Sequence, residues 1–316
     1  MMKIALYGLW HVHAPSYYKT AAQYGKVVGV YEPNSDFRNA FCEKYGVPAF
    51  ASPEDLLNSD ADAVIVCTSS DTHADVMVSI ANAGKDIFTE KVLSLTEADC
   101  LRVAEAVKKN NVRFVISYPW MFRGGIRTVK AIADSGELGS LNYFRFRNCH
   151  DGSTGGWLPR HFFDAKECGG GAMIDLGAHG MYLADWFLGE PKTYASTFTL
   201  SYPIEKNSDG VEDNAVTVMG YENGAIALNE TGFVSTGCPE TLEVGGTKGY
   251  VVWKRGEAVR KTTLATEKKA VEVETLPELP SPLDAFLQGQ TPIGCGIDDA
   301  IRLTRMMEGA YRNIVK

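Results

Sequence analysis

The residues of this chain that suggest chemistry most directly lie between Gly169 and His179, where a carboxylate and an imidazole follow three consecutive glycines. Asp175 and His179 are four residues apart, so on a helix their side chains share one face. A carboxylate beside an imidazole can raise its basicity and fix its orientation, as a general base near neutral pH requires. The same run is equally compatible with a capped helix start and a buried, hydrogen-bonded histidine.

A second group of informative residues lies near the N-terminus. Gly8 follows the first predicted strand and Glu32 ends the second, which are the positions of the phosphate turn and of the ribose-binding acid in a dinucleotide fold. Glu32 favours NAD over NADP, because a 2′-phosphate beside it would meet like-charge repulsion and no arginine follows immediately. Without Gly8, Glu32 would read as a solvated residue ahead of a Pro33-Asn34 turn.

The turn after Gly8 departs from the glycine fingerprint, since Trp10 and His13 occupy the second and third glycine positions. The match is therefore weak, and it requires a different turn path or a displaced cofactor. His11 and His13 are metal ligands by type. However, two histidines without a nearby third ligand are more often turn or pocket residues, so we predict no metal site.

These residues need a scaffold, and the first part of the chain alternates short apolar runs with helix-like stretches, the pattern of a parallel sheet with crossover helices. Asp71 is a predicted cap of a helix that runs to Gly84, and Thr96 with Asp99 forms a capping-box pattern. The predicted strands are Lys3 to Tyr7, Val27 to Val30, Ala63 to Cys67, Asp86 to Phe88 and Arg113 to Ile116.

After Tyr118-Pro119 the pattern changes to longer alternating segments, which predict a large, mostly antiparallel open sheet. We therefore predict an α/β fold with an N-terminal Rossmann domain, a doubly wound parallel sheet, in residues 1–120. A C-terminal α+β domain follows in residues 121–316 and ends in an amphipathic helix over Asp298 to Ile314. Its predicted strands are Leu141 to Asn148, Lys192 to Leu200, Asn214 to Met219, Gly224 to Thr231 and Thr241 to Val244.

Composition restricts the class of partner. A net charge of -8 and a pI near 5.4 argue against nucleic-acid binding. No apolar run reaches membrane-spanning length, and Met1 to Tyr7 is too short for a signal peptide, so we predict a cytoplasmic protein without a membrane partner. Seven scattered cysteines without a Cys-x-x-Cys pair predict reduced thiols rather than disulfides or a zinc site.

Thr89-Glu90-Lys91, which follows a predicted strand and precedes a capped helix, adds a pattern that extends over nearly the whole chain. Together with the Gly-Gly-Gly-Ala-x-x-Asp-x-Gly-x-His run, it resembles the Gfo/Idh/MocA family of sugar and polyol oxidoreductases. The other matching features are Gly8, Glu32, the strand Asp62 to Val66, His73, Ala83-Gly84-Lys85, Gly136-Glu137-Leu138-Gly139 and Ala310-Tyr311.

The resemblance implies roles for individual residues. Lys91 matches the catalytic lysine, Asp175 the active-site carboxylate and His179 the proton-transfer histidine. The predicted cofactor contacts are Gly8, Trp10, His11, Val12, Glu32, Thr68, His73, Glu90 and Lys91. The family's open C-terminal sheet often makes oligomer contacts, which implies a homodimer or homotetramer, and we interpret the three glycines before Asp175 as a hinge.

The chain also departs from the family pattern. Val92 replaces the proline usual after Glu-Lys, and Tyr182 stands where a second aspartate often follows the histidine. The identity of the substrate is therefore not carried over.

The predicted function is hydride transfer between a nicotinamide cofactor, NAD rather than NADP, and a secondary hydroxyl of a sugar, polyol or related compound. His179 would take the hydroxyl proton, Asp175 would stabilise the imidazolium, and Lys91 would hydrogen-bond the same oxygen. One alternative is a glycosidase or lyase that uses tightly bound NAD for transient oxidation. Another is a ligand-binding relative without turnover.

Overall fold

The structure, a computed structural model, describes residues 1–315. The chain forms two compact units, of which the first combines Met1–Ser117 with Pro280–Thr304 and the second combines Tyr118–Leu279 with the chain from Arg305 onward. A five-stranded sheet lies in the first unit and an eight-stranded sheet in the second. The predicted α/β fold, with a Rossmann sheet followed by an α+β part, is confirmed.

The sheet of the first unit is parallel, with the order β2-β1-β3-β4-β5. All four residues of β3 are buried, which explains its uninterrupted apolar sequence. Because β1 pairs with β2 on one side and with β3 on the other, its carboxyl end is the switch point where doubly wound sheets bind ligands. The strands are β1 (Lys3–Tyr7), β2 (Lys26–Tyr31), β3 (Ala63–Val66), β4 (Asp86–Thr89) and β5 (Phe114–Ile116).

The connecting helices of this unit are α1 (Ala14–Tyr24), α2 (Ser35–Tyr45), α3 (Pro53–Leu57), α4 (His73–Asn82) and α5 (Glu97–Lys109). Thr96 caps α5 as predicted, since its hydroxyl oxygen accepts the Asp99 N–H at 3.1 Å. The predicted Asp71 cap is wrong. α4 begins later, after Thr72, and the Asp71 carboxylate instead accepts the Ser69 hydroxyl at 2.6 Å.

The sheet of the second unit has the order β13-β12-β11-β10-β6-β9-β8-β7. Among the strand pairs of this second sheet in the described residues, β6–β9 alone is parallel, so the predicted mostly antiparallel sheet is confirmed. The strands are β6 (Leu141–Cys149), β7 (Thr193–Thr199), β8 (Asn214–Gly220), β9 (Ile226–Gly232), β10 (Thr241–Gly246), β11 (Gly249–Lys254), β12 (Val259–Thr263) and β13 (Val271–Val273). The last three strands were not predicted.

One face of this sheet is covered by helices α6 (Gly124–Asp134) and α8 (Ala178–Leu188), which contact β11 and β6 respectively. A single turn, α7 (Ala165–Cys168), precedes α8. Burial alternates along β8, where Ala215, Thr217 and Met219 are buried while Val216 and Val218 are exposed. The period of two reflects a sheet with one packed and one open face.

The chain returns to the first unit near its end, through α9 (Pro282–Leu287) and the first half of α10 (Ile297–Arg312). The Phe286 ring packs against Phe88, the Ile116 N–H donates to the Cys295 carbonyl at 3.0 Å, and Thr304 donates to the Ser94 carbonyl. A single division at residue 120 therefore does not describe how residues 280–304 pack. No helix in the described part of the chain combines the length and apolar character needed to span a bilayer.

Candidate active site

The turn after β1 is built on Gly8, whose φ of +88° favours glycine. A Cβ at this position would approach the Thr68 Cγ2 atom to 2.6 Å and the Thr68 nitrogen to 2.8 Å. The turn is held by backbone bonds, since Gly8 N–H donates to the Tyr31 carbonyl at 2.8 Å and His11 N–H donates to the Cys67 carbonyl at 3.1 Å. Its path is thus fixed by the ends of β2 and β3.

Glu32 lies buried at the end of β2 and accepts two backbone hydrogen bonds. The Leu9 N–H donates to Oε2 at 2.7 Å, and the Asn34 N–H donates to Oε1 at 2.9 Å. Each carboxylate oxygen can accept a further bond. Glu32 is therefore a fixed acceptor beside the Gly8 turn, and the reading as a solvated turn residue is wrong.

Arg38 is a residue near this acid that the sequence reading passed over. It lies on α2, six residues after Glu32, and its guanidinium donates to the Glu32 carbonyl at 3.0 Å. Arg38 does not follow the acid directly in the sequence, and the first turn of α2, which begins at Ser35, brings it back to the end of β2.

Thr68 and His73 connect the end of β3 to the segment after β4. The buried Thr68 hydroxyl has no hydrogen-bond partner. One ring nitrogen of His73 faces the Val92 carbonyl at 2.9 Å, and the other faces the Thr68 carbonyl at 3.1 Å. Burial lowers the pKa of His73 despite these carbonyls, so the ring is neutral and its single N–H serves one of them at a time. His73 thus holds the backbone at Val92 and Thr68 in place, whereas the Thr68 hydroxyl oxygen has no hydrogen-bond partner.

Glu90 forms the centre of a polar cluster at the carboxyl end of β4 and is 2% exposed. Its Oε1 atom accepts the Tyr17 hydroxyl and lies 2.7 Å from His13 Nδ1, while Oε2 accepts the Lys91 N–H at 3.2 Å. Burial opposes ionisation of Glu90, but the neighbouring His11, His13 and Lys91 outweigh it and hold its pKa well below the usual range. Glu90 is a buried carboxylate.

His11 completes this cluster from the other side. It is buried, and its Nδ1 atom lies 3.7 Å from Glu90 Oε1. One potential ligand atom from each of His11, His13 and Glu90 lies within 4.8 Å of the other two. The sequence showed two histidines without a third partner, and the fold supplies that partner from 77 residues further along the chain.

The remaining predicted residues of the first unit occupy different environments. Lys91 is buried immediately after Glu90, and the peptide bond between Lys91 and Val92 is cis. The Trp10 ring lies beside His11 with centroids 6.2 Å apart, whereas Val12 is 47% exposed. The fold therefore gathers Gly8, His11, Thr68 and Glu90 at the carboxyl ends of β1, β3 and β4.

Asp175 and His179 lie in the second unit, at the join between two kinds of helix. Asp175 belongs to a π-helical turn over Met173–Gly177, and His179 belongs to the first turn of α8. Within residues 171–184 these two side chains alone are not buried. Their four-residue spacing favours a common face, but the backbone at Asp175 is a π-helical turn rather than a regular α-helix.

Tyr182 gives His179 its orientation. The His179 Nδ1 atom lies 3.0 Å from the Tyr182 hydroxyl, which also accepts the Trp120 N–H at 3.2 Å. The Tyr182 ring is stacked on Tyr118, with centroids 4.1 Å apart. The tyrosine that departs from the family pattern therefore contacts the histidine, a role that the sequence reading did not assign.

The glycines before Asp175 are required by close packing. A Cβ on Gly170 would collide with the Tyr311 hydroxyl, and one on Gly171 would collide with the Glu212 carbonyl. The Glu212 carboxylate accepts the Tyr311 hydroxyl at 2.7 Å and the Met173 N–H at 3.0 Å. Tight contact with the Tyr311 side chain explains Gly170, and tight contact with the Glu212 backbone explains Gly171.

Known proteins share both the sequence patterns and the architecture of this chain. Residues 3–118 match the family model described as "Oxidoreductase family, NAD-binding Rossmann fold", and residues 126–252 match the one described as "GFO/IDH/MocA C-terminal domain". Together they span most of both units and agree with the resemblance inferred from Glu90-Lys91 and the Asp175–His179 run.

Two curated relatives are named for inositol oxidation. The chain is 29% identical over 227 residues to "Myo-inositol 2-dehydrogenase" of Thermotoga maritima, which covers 70% of this chain and 65% of that protein. It is 26% identical over 301 residues to "scyllo-inositol 2-dehydrogenase (NAD(+))" of Bacillus subtilis, covering 90% and 85%. The chain thus spans slightly less than two thirds of the Thermotoga protein.

A solved structure is similar across the full length. Levoglucosan dehydrogenase in complex with NADH and levoglucosan superimposes with a TM-score of 0.84 at 18% identity, covering 99% of this chain and 96% of that one. At this identity the likeness establishes the fold. With the family matches to both units, it follows that the chain belongs to the GFO/IDH/MocA family and carries an NAD-binding Rossmann domain at its N-terminus.

Proposed function

We propose that the protein is an NAD-dependent dehydrogenase that moves a hydride between nicotinamide and a secondary hydroxyl of a cyclic polyol or sugar. The observation that carries this proposal is the accessible pair Asp175 and His179 on an otherwise buried segment, in a chain whose other unit is an NAD-binding domain. The inositol dehydrogenases among its relatives and the levoglucosan dehydrogenase fold support the substrate class.

The first unit has polar groups that fit NAD. Glu32 suits the adenosine ribose, because its fixed carboxylate retains acceptor capacity beside the Gly8 turn. The buried, unpartnered Thr68 hydroxyl fits a polar group of the cofactor. When bound, the cofactor supplies the hydride acceptor at its nicotinamide ring.

His179 acts as the proton acceptor in the oxidation direction. For Nε2 to take a proton, Nδ1 must hold the ring hydrogen, and the Tyr182 oxygen 3.0 Å away accepts it. Asp175 stabilises the imidazolium that forms. Lys91 donates to the reacting oxygen and stabilises its developing negative charge.

We also propose that the enzyme is cytoplasmic and forms a homo-oligomer. None of the seven cysteines, all of which lie in the described residues, forms a disulfide, as suits the reducing cytoplasm. The open face of the eight-stranded sheet exposes Val216, Val218 and Ile226, which suits self-association as a homodimer or homotetramer.

The decisive experiment is a panel of inositols, sugars and glycosides tested for NADH formation with the wild-type protein and Lys91→Ala. We expect Lys91→Ala to lower turnover by about 100-fold or more and NAD affinity by much less, because the main role assigned to Lys91 is at the reacting oxygen. Lys108→Ala, at an exposed lysine on α5, is the matched control. Unchanged turnover in Lys91→Ala would remove that residue from the mechanism.

A second readout separates the redox-coupled glycosidase or lyase from the dehydrogenase. Denaturing the purified protein and assaying the supernatant reveals any NAD that it retains. Stoichiometric, non-exchanging NAD combined with cleavage of a glycoside and no net NADH would replace the dehydrogenase proposal.

A further inference from the structure

We propose that His11, His13 and Glu90 form a binding site for one divalent transition-metal ion of the Zn²⁺ type. The three residues lie at the carboxyl ends of β1 and β4, at the ligand-binding edge of the sheet. The family comparisons assign no metal to this chain, and the dehydrogenase proposal does not require one.

The donor atoms of the three residues lie close to the spacing of metal ligands. Ligands about 2.0–2.2 Å from a tetrahedral Zn²⁺ ion lie roughly 3.3–3.6 Å from one another. His13 Nδ1 and His11 Nδ1 lie 2.7 Å and 3.7 Å from Glu90 Oε1, and one ligand atom from each residue is within 4.8 Å of the other two. Shifts of about 1 Å or less would bring the three atoms to the separations that a bound ion requires.

The His11 Nδ1 atom acts as an acceptor, since it receives the His13 backbone N–H at 3.2 Å. A metal ion bound at this nitrogen would take the place of that hydrogen bond. Unprotonated imidazole nitrogen and ionised carboxylate are also the forms that a metal ion binds.

Neighbouring groups hold the Glu90 carboxylate in place. The Tyr17 hydroxyl bonds to Glu90 Oε1 and lies 2.9 Å from the Ser117 hydroxyl, while the Lys91 N–H holds Oε2. Such outer contacts orient a ligating carboxylate. His13 has a side chain 50% exposed, which gives an ion a route from solvent to the buried Glu90.

The ligand types define the class of ion. Two imidazoles and one carboxylate suit Zn²⁺, Co²⁺, Ni²⁺ or Fe²⁺, whereas Mg²⁺ and Ca²⁺ prefer oxygen ligands. Three protein ligands leave the fourth tetrahedral position open, as in catalytic rather than structural zinc sites. Metal binding would then explain why His13 occupies the third glycine position of the turn.

The test is metal binding to the full chain after chelator treatment and without cofactor. We expect one Zn²⁺ per chain by calorimetry and elemental analysis, and with Co²⁺ the visible absorption bands of a four-coordinate site. His13→Ala should weaken binding by more than about 100-fold and abolish the bands. Tyr17→Phe, which removes only an outer contact, should weaken it by about 10- to 100-fold.

His150→Ala, which removes an imidazole from the second unit, is the control and should leave Zn²⁺ affinity unchanged. Absence of stoichiometric binding in the wild-type protein would overturn the site. So would binding that survives both His13→Ala and Tyr17→Phe, since it would place the ion at other histidines or thiols. Because no cofactor or substrate is present, a negative result leaves the dehydrogenase proposal intact, and absence of NADH formation leaves the metal site intact.

Discussion

Tyr182 is the residue whose role changed most between the sequence and the structure. At the sequence level it was only a departure from an expected aspartate. In the structure its hydroxyl bonds to His179 Nδ1 and to the Trp120 N–H, and its ring is stacked on Tyr118. Spacing along α8 places Tyr182 one turn after His179, so the contact could have been read from the i, i+3 relation.

We predict that Tyr182→Phe lowers kcat by roughly 2- to 10-fold, the value of one hydrogen bond that orients the base. The phenylalanine ring keeps the stacking on Tyr118, so the melting temperature and NAD affinity should hardly change. Steady-state kinetics across pH checks this, because a loss of orientation affects kcat more than KM. A kcat equal to wild type would show that the Tyr182 hydroxyl does not prepare His179.

A second prediction concerns the side chain of Glu32. Glu32→Ala should weaken NAD binding by roughly 10-fold or more, because charge-assisted hydrogen bonds to the ribose are lost. NADP binding should weaken less, since the like-charge repulsion disappears while Arg38 remains nearby. Fluorescence titration with both cofactors measures the change, with Asp36→Ala on the exposed start of α2 as control. An equal loss for both cofactors would remove Glu32 from the ribose.

The candidate site was only partly accessible to sequence reading. Motif order identified Lys91, Asp175 and His179 as candidates, and adjacency identified Glu90. The grouping of His11, His13 and Glu90 was not accessible, because it depends on how β1 and β4 align their ends within the sheet. The two bonds of His73 to backbone carbonyls likewise arise from tertiary packing.

Among the elements, the segment that carries Asp175 depends on Glu212, which lies just before β8. Burial raises the pKa of Glu212, although the Tyr311 hydroxyl and backbone N–H groups oppose the shift. A raised carboxyl pKa means that ionisation costs folding free energy. The stability contribution of Glu212 is therefore complete below the pKa of the unfolded chain and is lost as the pH rises through the raised value.

We predict that Glu212→Gln becomes progressively more stable relative to the wild-type protein as the pH rises from about 4, until Glu212 is fully ionised. The amide oxygen of glutamine can still accept the Tyr311 and Met173 hydrogen bonds. Urea unfolding at several pH values checks this, with Glu205→Gln at an exposed position as the control. A stability difference independent of pH would refute the assignment.

The strands were predicted correctly from the sequence where buried and exposed residues follow a regular pattern. The five strands of the first sheet and β6 to β10 of the second appear within about two residues of their predicted bounds, because apolar runs and strict alternation persist along them. β13 is the edge strand of the second sheet and β12 is its neighbour, and they carry Arg260, Lys261 and Glu272. Strands with so many charged residues show no clear hydrophobic alternation, so the sequence pattern does not reveal them.

For the whole molecule, we predict that Val218→Asp shifts the protein toward monomer. Val218 lies on the open face of the eight-stranded sheet, and a carboxylate there would be desolvated in a self-associated state. Light scattering after size-exclusion chromatography measures the mass, with Ile293→Asp, at an exposed residue of the first unit, as control. An unchanged oligomer would locate the contact elsewhere.

Domain organisation was the least predictable property of the chain. The change of hydrophobic pattern near Tyr118 was visible in the sequence, and the first segment of the first unit does end at Ser117. Nothing in local sequence shows that α9 packs against β5 and α1, since such long-range contacts leave no periodic signal. A single boundary was the simplest reading, and the structure instead gives the first unit two separate segments.

The packing of residues 280–304 in the first unit has a consequence for synthesis on the ribosome. The first 117 residues emerge before the second unit, but Phe286, Cys295 and Thr304, which contact Phe88, Ile116 and Ser94, are translated only after residues 118–279. The NAD-binding unit therefore cannot complete its packing until the chain has been made as far as residue 304, whereas residues 118–279 can pair their strands before that. Because the second unit also includes the chain from Arg305 onward, the packing of both units is completed only when α10 has been made.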